Sequence, residues 1–434
     1  MAYKSLKAIG LSFDLVRSED IRRGILKNYR MLFVPGGWAS NKLKALGDKG
    51  AEEIKRFVYE GGNYFGICGG AGLATMDGLG LLNIKRKPTK QRVPSFSGRI
   101  YLNISEHPIF TSSPIHQFTN SPVFHAWWPS QFMVNDKDIK ILATFQEALP
   151  DSYSSDLNVG DVRKNGNWKE LEELYGINLD PERLKDEPAV VEGSFGKGKV
   201  LLSLIHFDTP EDENGAVVLR NIWEYLGGSL LRQSHGRSVA LSATVLQCGS
   251  ATVYKGLRLK AIGLRRNFSL QPNFFSLQPS AYSVALSHYC SEIIDFGIRN
   301  FLWFWRTPML LQWRRGVRGL EYNTLYVMAK EITEADHSAT ERQSNSPTSC
   351  RTTVERSSVS HLNPEDFFIF KEKALRLLML ERKAMQRGVI TYEYSDDPEI
   401  QSLRKELFGS SKSYGGQFKE LLDQIDYLLY HELV

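Results

Sequence analysis

The chain has 434 residues, of which 42% are hydrophobic and 24% are charged, and its formal net charge is +5 at pH 7. This length and ordinary globular composition predict two or more folding units, and so small a positive excess does not indicate a nucleic-acid-binding protein. The four cysteines are scattered without a CxxC pair, and no apolar run reaches the roughly eighteen residues of a membrane-spanning helix. We therefore predict a cytoplasmic protein with no disulfide framework, no metal site, no cofactor and no membrane span.

Short apolar runs alternate with helical patterns up to residue 228, as in a parallel sheet with crossover helices. Strands are predicted over residues 12–16, 31–34, 63–67, 99–104, 122–124, 139–145, 189–193 and 200–205. Residues 3–9 have a helical pattern, whereas a doubly wound domain ordinarily begins with a strand. We predict a three-layer, doubly wound, mostly parallel, flavodoxin-like domain over residues 1–228. For the lack of a first strand, we favour N-terminal truncation over a domain built without it.

The second half of the chain has a different composition. Residues 229–292 are rich in Ser, Leu and Gln without sustained periodicity and predict an irregular insert or linker. Residues 293–333 combine Trp, Phe and Arg and predict two helices that break at Pro308. Residues 334–363 are polar and predict a linker, and residues 364–434 return to helical spacing. The second half is therefore predicted to be mainly helical.

A cysteine follows the third predicted strand at a turn of small residues, Gly66-Ile67-Cys68-Gly69-Gly70. Such a turn forms a nucleophile elbow, in which the central residue has a strained backbone that only small neighbours accommodate. The thiol then lies at the N-terminus of the following helix, where unpaired N–H groups favour the thiolate. Cys68 is therefore the candidate nucleophile.

A cysteine nucleophile needs a base and a group that orients the base. His206 and Asp208 follow the last long strand and are two residues apart, so both can face the same side of that strand. The carboxyl edge of the sheet, where the elbow also emerges, is where open parallel sheets place their sites. Oxyanion donors would be the backbone N–H of Gly69 and one from Gly36 or Gly37, where a Pro-Gly-Gly turn ends the neighbouring strand.

Two further patterns in the first half allow more than one interpretation. His125, next to Trp127 and Trp128, favours aromatic core packing, with the wall of a substrate pocket as the alternative. A short basic loop favours a solvated surface, with an anion or nucleic-acid contact as the alternative. The loop contains Lys85, Arg86, Lys87, Lys90 and Arg92.

Three motifs in this order resemble the class I glutamine amidotransferase-like superfamily: Val34-Pro35-Gly36-Gly37, the elbow, and the strand that leads to His206-Phe207-Asp208. Within it they are most similar to the amidotransferase-like domain found at the N-terminus of eukaryotic biotin–protein ligases and as stand-alone bacterial proteins. The resemblance covers roughly the first half of the chain. It implies that Cys68 is the nucleophile, His206 the base and Asp208 the third member of the triad, with Glu211 as the less favoured alternative.

The chain departs from the family pattern at several positions. Glutamine-hydrolysing members usually carry Gln four residues after the nucleophile, where this chain has Gly72, which argues against an ordinary glutaminase. The usual His-Pro-Glu is His206-Phe207-Asp208 here, with Pro and Glu displaced to Pro210 and Glu211. The second half shows no Gly-Arg-Gly-Arg-type nucleotide loop, so biotin transfer is not predicted.

These observations leave two hypotheses. The first is a Cys-His-Asp amidohydrolase or amidotransferase-like enzyme that acts on the carbon–nitrogen bond of a small-molecule amide or peptide-like substrate. The second is a non-catalytic binding module that keeps a degenerate pocket and contacts a protein partner through its C-terminal helices. The intact elbow and the His206–Asp208 pair favour the first hypothesis, whereas Gly72 and the lack of a first strand favour the second.

Overall fold

The computed structural model describes seven segments of the chain, which are residues 1–111, 121–228, 243–246, 279–344, 364–388, 395–409 and 415–433. They belong to two compact units, Met1–Ser250 and Ala251–Val434, called here the first unit and the second unit. Within the described part of the chain, no helix combines the length and apolar character needed to cross a membrane.

Helices occur in both units and are numbered in chain order. They are α1 (Ala2–Ala8), α2 (Ser18–Arg22), α3 (Ala39–Tyr59), α4 (Gly69–Ala74), α5 (Pro108–Thr111), α6 (Val159–Asn165), α7 (Trp168–Tyr175), α8 (Glu213–Gly227), α9 (Pro279–Arg299), α10 (Leu320–Ser344), α11 (Pro364–Gln386), α12 (Pro398–Phe408) and α13 (Gly416–Leu433). Helix α3 is kinked at Gly47, whose φ is 59°.

Most strands belong to the first unit. They are β1 (Phe13–Val16), β2 (Met31–Val34), β3 (Asn63–Ile67), β4 (Ile84–Arg86), β5 (Phe96–Ile104), β6 (Val123–Trp127), β7 (Phe132–Val134), β8 (Lys140–Ala148), β9 (Tyr153–Ser154), β10 (Leu157–Asn158), β11 (Pro188–Phe195), β12 (Gly198–Ser203), β13 (Ala243–Leu246), β14 (Trp303–Thr307) and β15 (Leu310–Trp313).

The central sheet of the first unit is mixed. Its described strands run in the order β1-β13-β2-β3-β12-β11-β8-β5-β9-β10, and β6 also pairs with β5. Neighbouring strands from β1 to β12 are parallel, whereas all pairings from β12 onward are antiparallel. The prediction of a mostly parallel sheet is therefore wrong. Part of the reason is local, because the tight turn at Lys197 joins β11 to β12 as a hairpin, and a hairpin is antiparallel.

The place expected for a missing first strand is occupied. Strand β13 lies between β1 and β2 and is parallel to both, with Ala243 opposite Phe13 on one side and Met31 on the other. The position next to β2 is thus filled by a segment that comes late in the sequence, inside the stretch predicted to be an irregular insert. The rest of that stretch up to residue 278 lies outside the described residues.

The core of the first unit surrounds the parallel strands. All four residues of β2 are buried, as are the last four of β3. Because successive side chains of a strand point to opposite faces, this burial means that both faces of the sheet are covered. Phe33 of β2 stacks on Phe65 of β3 with ring centroids 4.9 Å apart, and Trp223 of α8 packs edge-on against Phe33.

The second unit is mainly helical and has a core of its own. Helices α9 to α13 enclose buried aromatic rings, including Trp303, Tyr322, Phe370 and Phe408. One ion pair is deeply buried there: Nε of Arg404 donates to Oε1 of Glu381 at 2.8 Å, and the Glu381 side chain has no exposed surface.

The aromatic and basic segment differs from the predicted helices. A hairpin of β14 and β15 stands between α9 and α10, with Trp303 opposite Trp313 across the ladder. β-Branched and aromatic residues suit a pleated strand, and the turn near Pro308 suits a hairpin as well as a helix break. Helix α10 also continues to Ser344, into the segment predicted to be a linker, whose remaining residues 345–363 lie outside the described part.

Candidate active site

The elbow forms as predicted, between β3 and the short helix α4. Cys68 has φ 49° and ψ −106°, a backbone region that side-chain-bearing residues rarely adopt. Its backbone N–H donates to the carbonyl of Ser203 in β12 at 2.8 Å, which anchors the turn to the neighbouring strand. Residues in such strained conformations persist only where the surrounding structure holds them in place, and they concentrate at functional sites.

The glycines of the elbow allow the backbones of two turns to touch. A Cβ placed on Gly69 would lie 1.6 Å from the carbonyl oxygen of Gly37, and one on Gly70 would lie 1.8 Å from that of Val34. Nothing larger than glycine fits at these positions without moving backbone. The Pro-Gly-Gly turn after β2 is therefore packed directly against the start of α4, and the amide nitrogen of Gly37 would lie 3.1 Å from a Cβ added to Gly69.

The predicted base and orienting acid form a buried pair. Nδ1 of His206 and Oδ1 of Asp208 are 2.9 Å apart, and the two residues are only 7% and 2% exposed. The hydroxyl of Ser5 donates to the backbone carbonyl of Asp208 at 2.8 Å, and the backbone N–H of His206 donates to the carbonyl of His125 at 2.8 Å. The loop after β12 is thus held from both sides. Glu211, the alternative acid, is exposed, so Asp208 is the carboxylate that meets His206.

The second ring nitrogen of His206 faces the elbow region. Nε2 is buried and has no hydrogen-bond partner within the described part of the chain. A Cβ on Gly36 would lie 3.0 Å from Cε1 of His206, 3.8 Å from its Nε2 and 3.7 Å from Cβ of Cys68. Gly36 therefore marks the point where the imidazole edge and the cysteine meet, and the absence of a side chain there leaves the space between them open.

The charges of the three side chains reinforce one another. Burial alone would raise the pKa of the Cys68 thiol, but the adjacent, positively charged His206 and the backbone N–H of Gly69 outweigh burial, so this pKa is lowered. Burial likewise opposes a charged His206, yet Asp208 and Cys68 raise the pKa of His206 to about 10. The pKa of Asp208 is lowered despite burial, chiefly by His206. These directions favour a thiolate, an imidazolium and a carboxylate together at neutral pH.

A second histidine–aspartate pair lies beside this site and was not predicted. Nδ1 of His125 is 2.6 Å from Oδ2 of Asp212, and the His125 ring stacks on Trp127 at 5.4 Å. The carbonyl of Trp127 is 3.9 Å from Sγ of Cys68, and its indole N–H donates to the hydroxyl of Thr209. The sequence offered one signal, since alternation along β6 places His125 and Trp127 on one face.

A cavity of about 670 Å³ lies next to the elbow helix. It is bounded by one face of α3, by Gly72 and Leu73 of α4, by residues 77–79 and by Arg86, whereas Cys68 and His206 do not line it. We place the candidate site at Cys68, because the thiol lies close to the His206–Asp208 pair there. The cavity adjoins this site through Gly72 of the elbow helix. Among the residues that the structure describes, no group of three or more His, Cys, Asp and Glu side chains is arranged to hold a metal ion.

Several solved structures share similarity with about half of this chain. A glutamine amidotransferase is 18% identical, with 51% of this chain and 90% of that chain covered and a TM-score of 0.32. PurLQS from Thermotoga maritima is 17% identical, with 52% and 91% covered and a TM-score of 0.33. A β-galactosidase from Bacillus circulans sp. alkalophilus is 13% identical, with 53% and 27% covered and a TM-score of 0.33.

A comparison with curated proteins found no match. A scan against family models matched one family, described as biotin-protein ligase, N terminal, over residues 25–77. This segment contains the Pro35-Gly36-Gly37 turn, the elbow and Cys68. The resemblance inferred from those motifs is thereby confirmed for this part of the chain: residues 25–77 match the N-terminal domain family of biotin–protein ligase.

Proposed function

We propose that the first unit is a cysteine-dependent amidohydrolase in which Cys68, His206 and Asp208 cleave a carbon–nitrogen bond of an amide. One observation carries this proposal: a strained elbow thiol of lowered pKa is next to a buried His206–Asp208 pair whose free ring nitrogen faces it. A buried cysteine with only a structural role would have its pKa raised by burial, as happens for Cys290, whose pKa rises to about 12.

In the first half of the reaction, the Cys68 thiolate attacks the amide carbonyl carbon and forms a carbon–sulfur bond. The oxyanion that develops would accept hydrogen bonds from the backbone N–H groups of Gly69 and Gly37. His206 then gives its Nε2 proton to the amide nitrogen, the carbon–nitrogen bond breaks and the amine leaves. Asp208 keeps the imidazole oriented and stabilises its positive charge throughout.

In the second half, neutral His206 accepts a proton from water, and the resulting hydroxide attacks the acyl thioester. The carbon–sulfur bond breaks, the carboxylic acid leaves and the Cys68 thiolate is restored with His206 protonated. One water is consumed for each amide, which balances the reaction as hydrolysis. Gly72 has no side chain with which to contact a glutamine substrate, so we do not propose a glutaminase.

The test is the rate of Cys68 alkylation by iodoacetamide as a function of pH, followed by peptide mass spectrometry. We expect the midpoint of the rate profile to lie below the usual thiol pKa of 9.0, because His206 stabilises the thiolate. His206→Gln should move the midpoint upward and slow alkylation at neutral pH. Cys290 is an internal control that should stay unmodified in the folded protein.

Acylation provides a second readout. p-Nitrophenyl acetate should release a burst of p-nitrophenolate in the wild type and none in Cys68→Ser. If Cys68 reacts no faster than a small free thiol and His206→Gln changes nothing, the catalytic hypothesis is wrong and the binding-module hypothesis gains. A protein partner for the C-terminal helices and a cytoplasmic location both stay predictions.

A further inference from the structure

The basic loop between α4 and β5 is only partly a solvated surface. Lys87 forms an ion pair with Glu187 at 2.5 Å, as a surface interpretation expects. Arg86 and Arg92 differ, because their Nε atoms are buried and form no hydrogen bond with any residue that the structure describes. Buried polar groups in folded proteins are nearly always hydrogen-bonded, so two such atoms in one loop need an explanation.

Arg86 lies beside Gly72, which is one helical turn from Cys68. It ends β4, whose pairing with β7 places it opposite Phe132. A Cβ on Gly72 would be 3.3 Å from Nη1 of Arg86, and the backbone N–H of Gly72 donates to the carbonyl of Cys68 at 2.8 Å. The guanidinium therefore occupies the space that the missing side chain at Gly72 leaves open beside the elbow helix.

Arg92 is held by the loop that follows β6. Its Nη1 donates to the carbonyl of Ser130 at 3.2 Å, and the neighbouring N–H of Val93 donates to Oε1 of Gln131 at 2.8 Å. This loop leads away from Trp127, whose carbonyl contacts Sγ of Cys68. Both arginines are thus tied to segments that touch the candidate nucleophile.

Arg86 and Arg92 are anchored to the same short segment, because Arg86 lies opposite Phe132 and Arg92 donates to the carbonyl of Ser130, two residues earlier. The pKa of Arg92 is lowered by burial and by the charge of Arg86, while the Cys68 thiolate opposes this effect. Arg86 has Asp77 at 3.5 Å from its Nε, but that carboxylate is half exposed. Within the described residues, no carboxylate forms an ion pair with Arg92. Two like charges held together with one weak counter-ion favour binding of an anion, because charge-assisted hydrogen bonds to it would satisfy both.

We propose that Arg86 and Arg92 bind an anionic oxygen group of the substrate, so that the amide cleaved at Cys68 belongs to a molecule that also carries a carboxylate or phosphate. This inference rests on the proposed function, since it assigns the substrate class of the same site. Arg86 also lines the 670 Å³ cavity, which offers room for the rest of such a molecule beyond the anionic group.

The experiment compares iodoacetate, which is anionic, with neutral iodoacetamide at Cys68. A change in the thiolate fraction affects both reagents equally, so the ratio of their rates reports only the attraction of the site for an anion. We expect the ratio of the iodoacetate rate to the iodoacetamide rate to fall by about tenfold in Arg86→Gln or Arg92→Gln. A change of this size is what the attraction between one guanidinium and one carboxylate gives at an intermediate effective dielectric constant. The matched control is Arg99→Gln, which removes an exposed arginine paired with Asp151 and should leave the ratio unchanged.

A second measurement uses only the wild-type protein and so does not depend on folding of the variants. Inorganic phosphate and succinate should each be tested for slowing the iodoacetamide reaction, with chloride at equal ionic strength as control. Stronger protection by phosphate identifies a phosphate-bearing substrate, and stronger protection by succinate a carboxylate-bearing one. An unchanged reagent ratio in both arginine variants, or no protection by either anion, overturns the inference. The proposed function fails separately, through slow iodoacetamide alkylation that does not depend on His206.

Discussion

At Cys68, the chemistry of the thiol depends on a backbone conformation that the residue would not adopt by itself. The positive φ turns the side chain out of the strand, and the glycines that follow let the Pro-Gly-Gly turn approach. The imidazole of His206 then reaches the same space, because Gly36 offers no side chain to block it. A small set of glycines thus decides whether the three side chains can act together.

We expect Gly69→Ala to damage the site. The new methyl group would collide with the carbonyl oxygen of Gly37, so one of the two turns must move. The first unit should lose about 1–3 kcal/mol of unfolding free energy in urea denaturation, as for other overpacked sites, and Cys68 alkylation should slow.

The control for this change is Gly227→Ala at the end of α8, where no described atom outside the helix's own backbone lies within 4 Å of the added Cβ. This substitution should stabilise the helix by about 0.5–1 kcal/mol through reduced freedom of the unfolded chain. Equal effects at Gly69 and Gly227 would contradict the close approach of the two turns.

The raised pKa of His206 makes stability depend on pH, and Cys68→Ala isolates this effect. A histidine whose folded-state pKa exceeds its unfolded value of 6.5 contributes full stability below 6.5 and loses it as pH rises through the folded-state pKa. In the wild type, the lowered pKa of Cys68 acts in the opposite direction, since thiolate formation adds stability as pH rises toward 9.0.

In Cys68→Ala we therefore expect the unfolding free energy of the first unit to fall as pH rises above 6.5, because Asp208 still holds the charged imidazole. Urea denaturation across the alkaline range measures this slope. Adding Asp208→Asn should flatten it, and the same slope in both variants would show that Asp208 is not what raises the pKa of His206.

Among the secondary-structure elements, β13 has a position in the sheet that could not be predicted from the sequence. Its four residues, Ala243 to Leu246, are a short, mostly apolar run within a stretch that lacks periodicity, yet they form a central strand with two parallel neighbours. Parallel strands are specified by distant partners, and a short apolar run carries no information about which partner it meets. The hairpin of β14 and β15 shows the same ambiguity, because a run of Trp and Phe suits a strand as well as a buried helix.

Thr244→Pro tests the pairing of β13. Proline cannot donate to the ladder, and a central strand has a neighbour on each side, so the first unit should lose at least about 1–3 kcal/mol for the partner group left unsatisfied. Thr244→Val keeps the backbone N–H and should leave stability nearly unchanged. If the two variants had the same denaturation midpoint, β13 would not be a central strand.

At the scale of the whole molecule, the chain builds two separate cores. The parallel strands of the first unit are covered on both faces, and the aromatic cluster of the second unit is enclosed by its own helices. The buried Arg404–Glu381 pair lies in the second unit. Nη2 of Arg404 also donates to the carbonyl of Gly316 at 2.7 Å.

Arg404→Met should destabilise the second unit by about 3–5 kcal/mol, because the fully buried Glu381 and the carbonyl of Gly316 would both lose the guanidinium that donates hydrogen bonds to them. Arg376→Met is the matched control, since Arg376 pairs with Glu399 on the exposed surface and its loss should not change stability measurably. We expect differential scanning calorimetry to show a lower second-unit transition in Arg404→Met alone. Equal transitions in both variants would mean that the buried pair is not needed.

Some local features of this protein can be predicted from neighbouring residues alone. The elbow at Cys68 and strands β2 and β3 follow from glycines and short apolar runs within a few residues. Four other features became apparent only in the folded structure. They are the mixed sheet, the insertion of β13, the His125–Asp212 pair and the contact between Arg86 and Gly72. The insertion of β13 and the His125–Asp212 pair join residues far apart in the chain, and their proximity depends on packing free energy that no local pattern records.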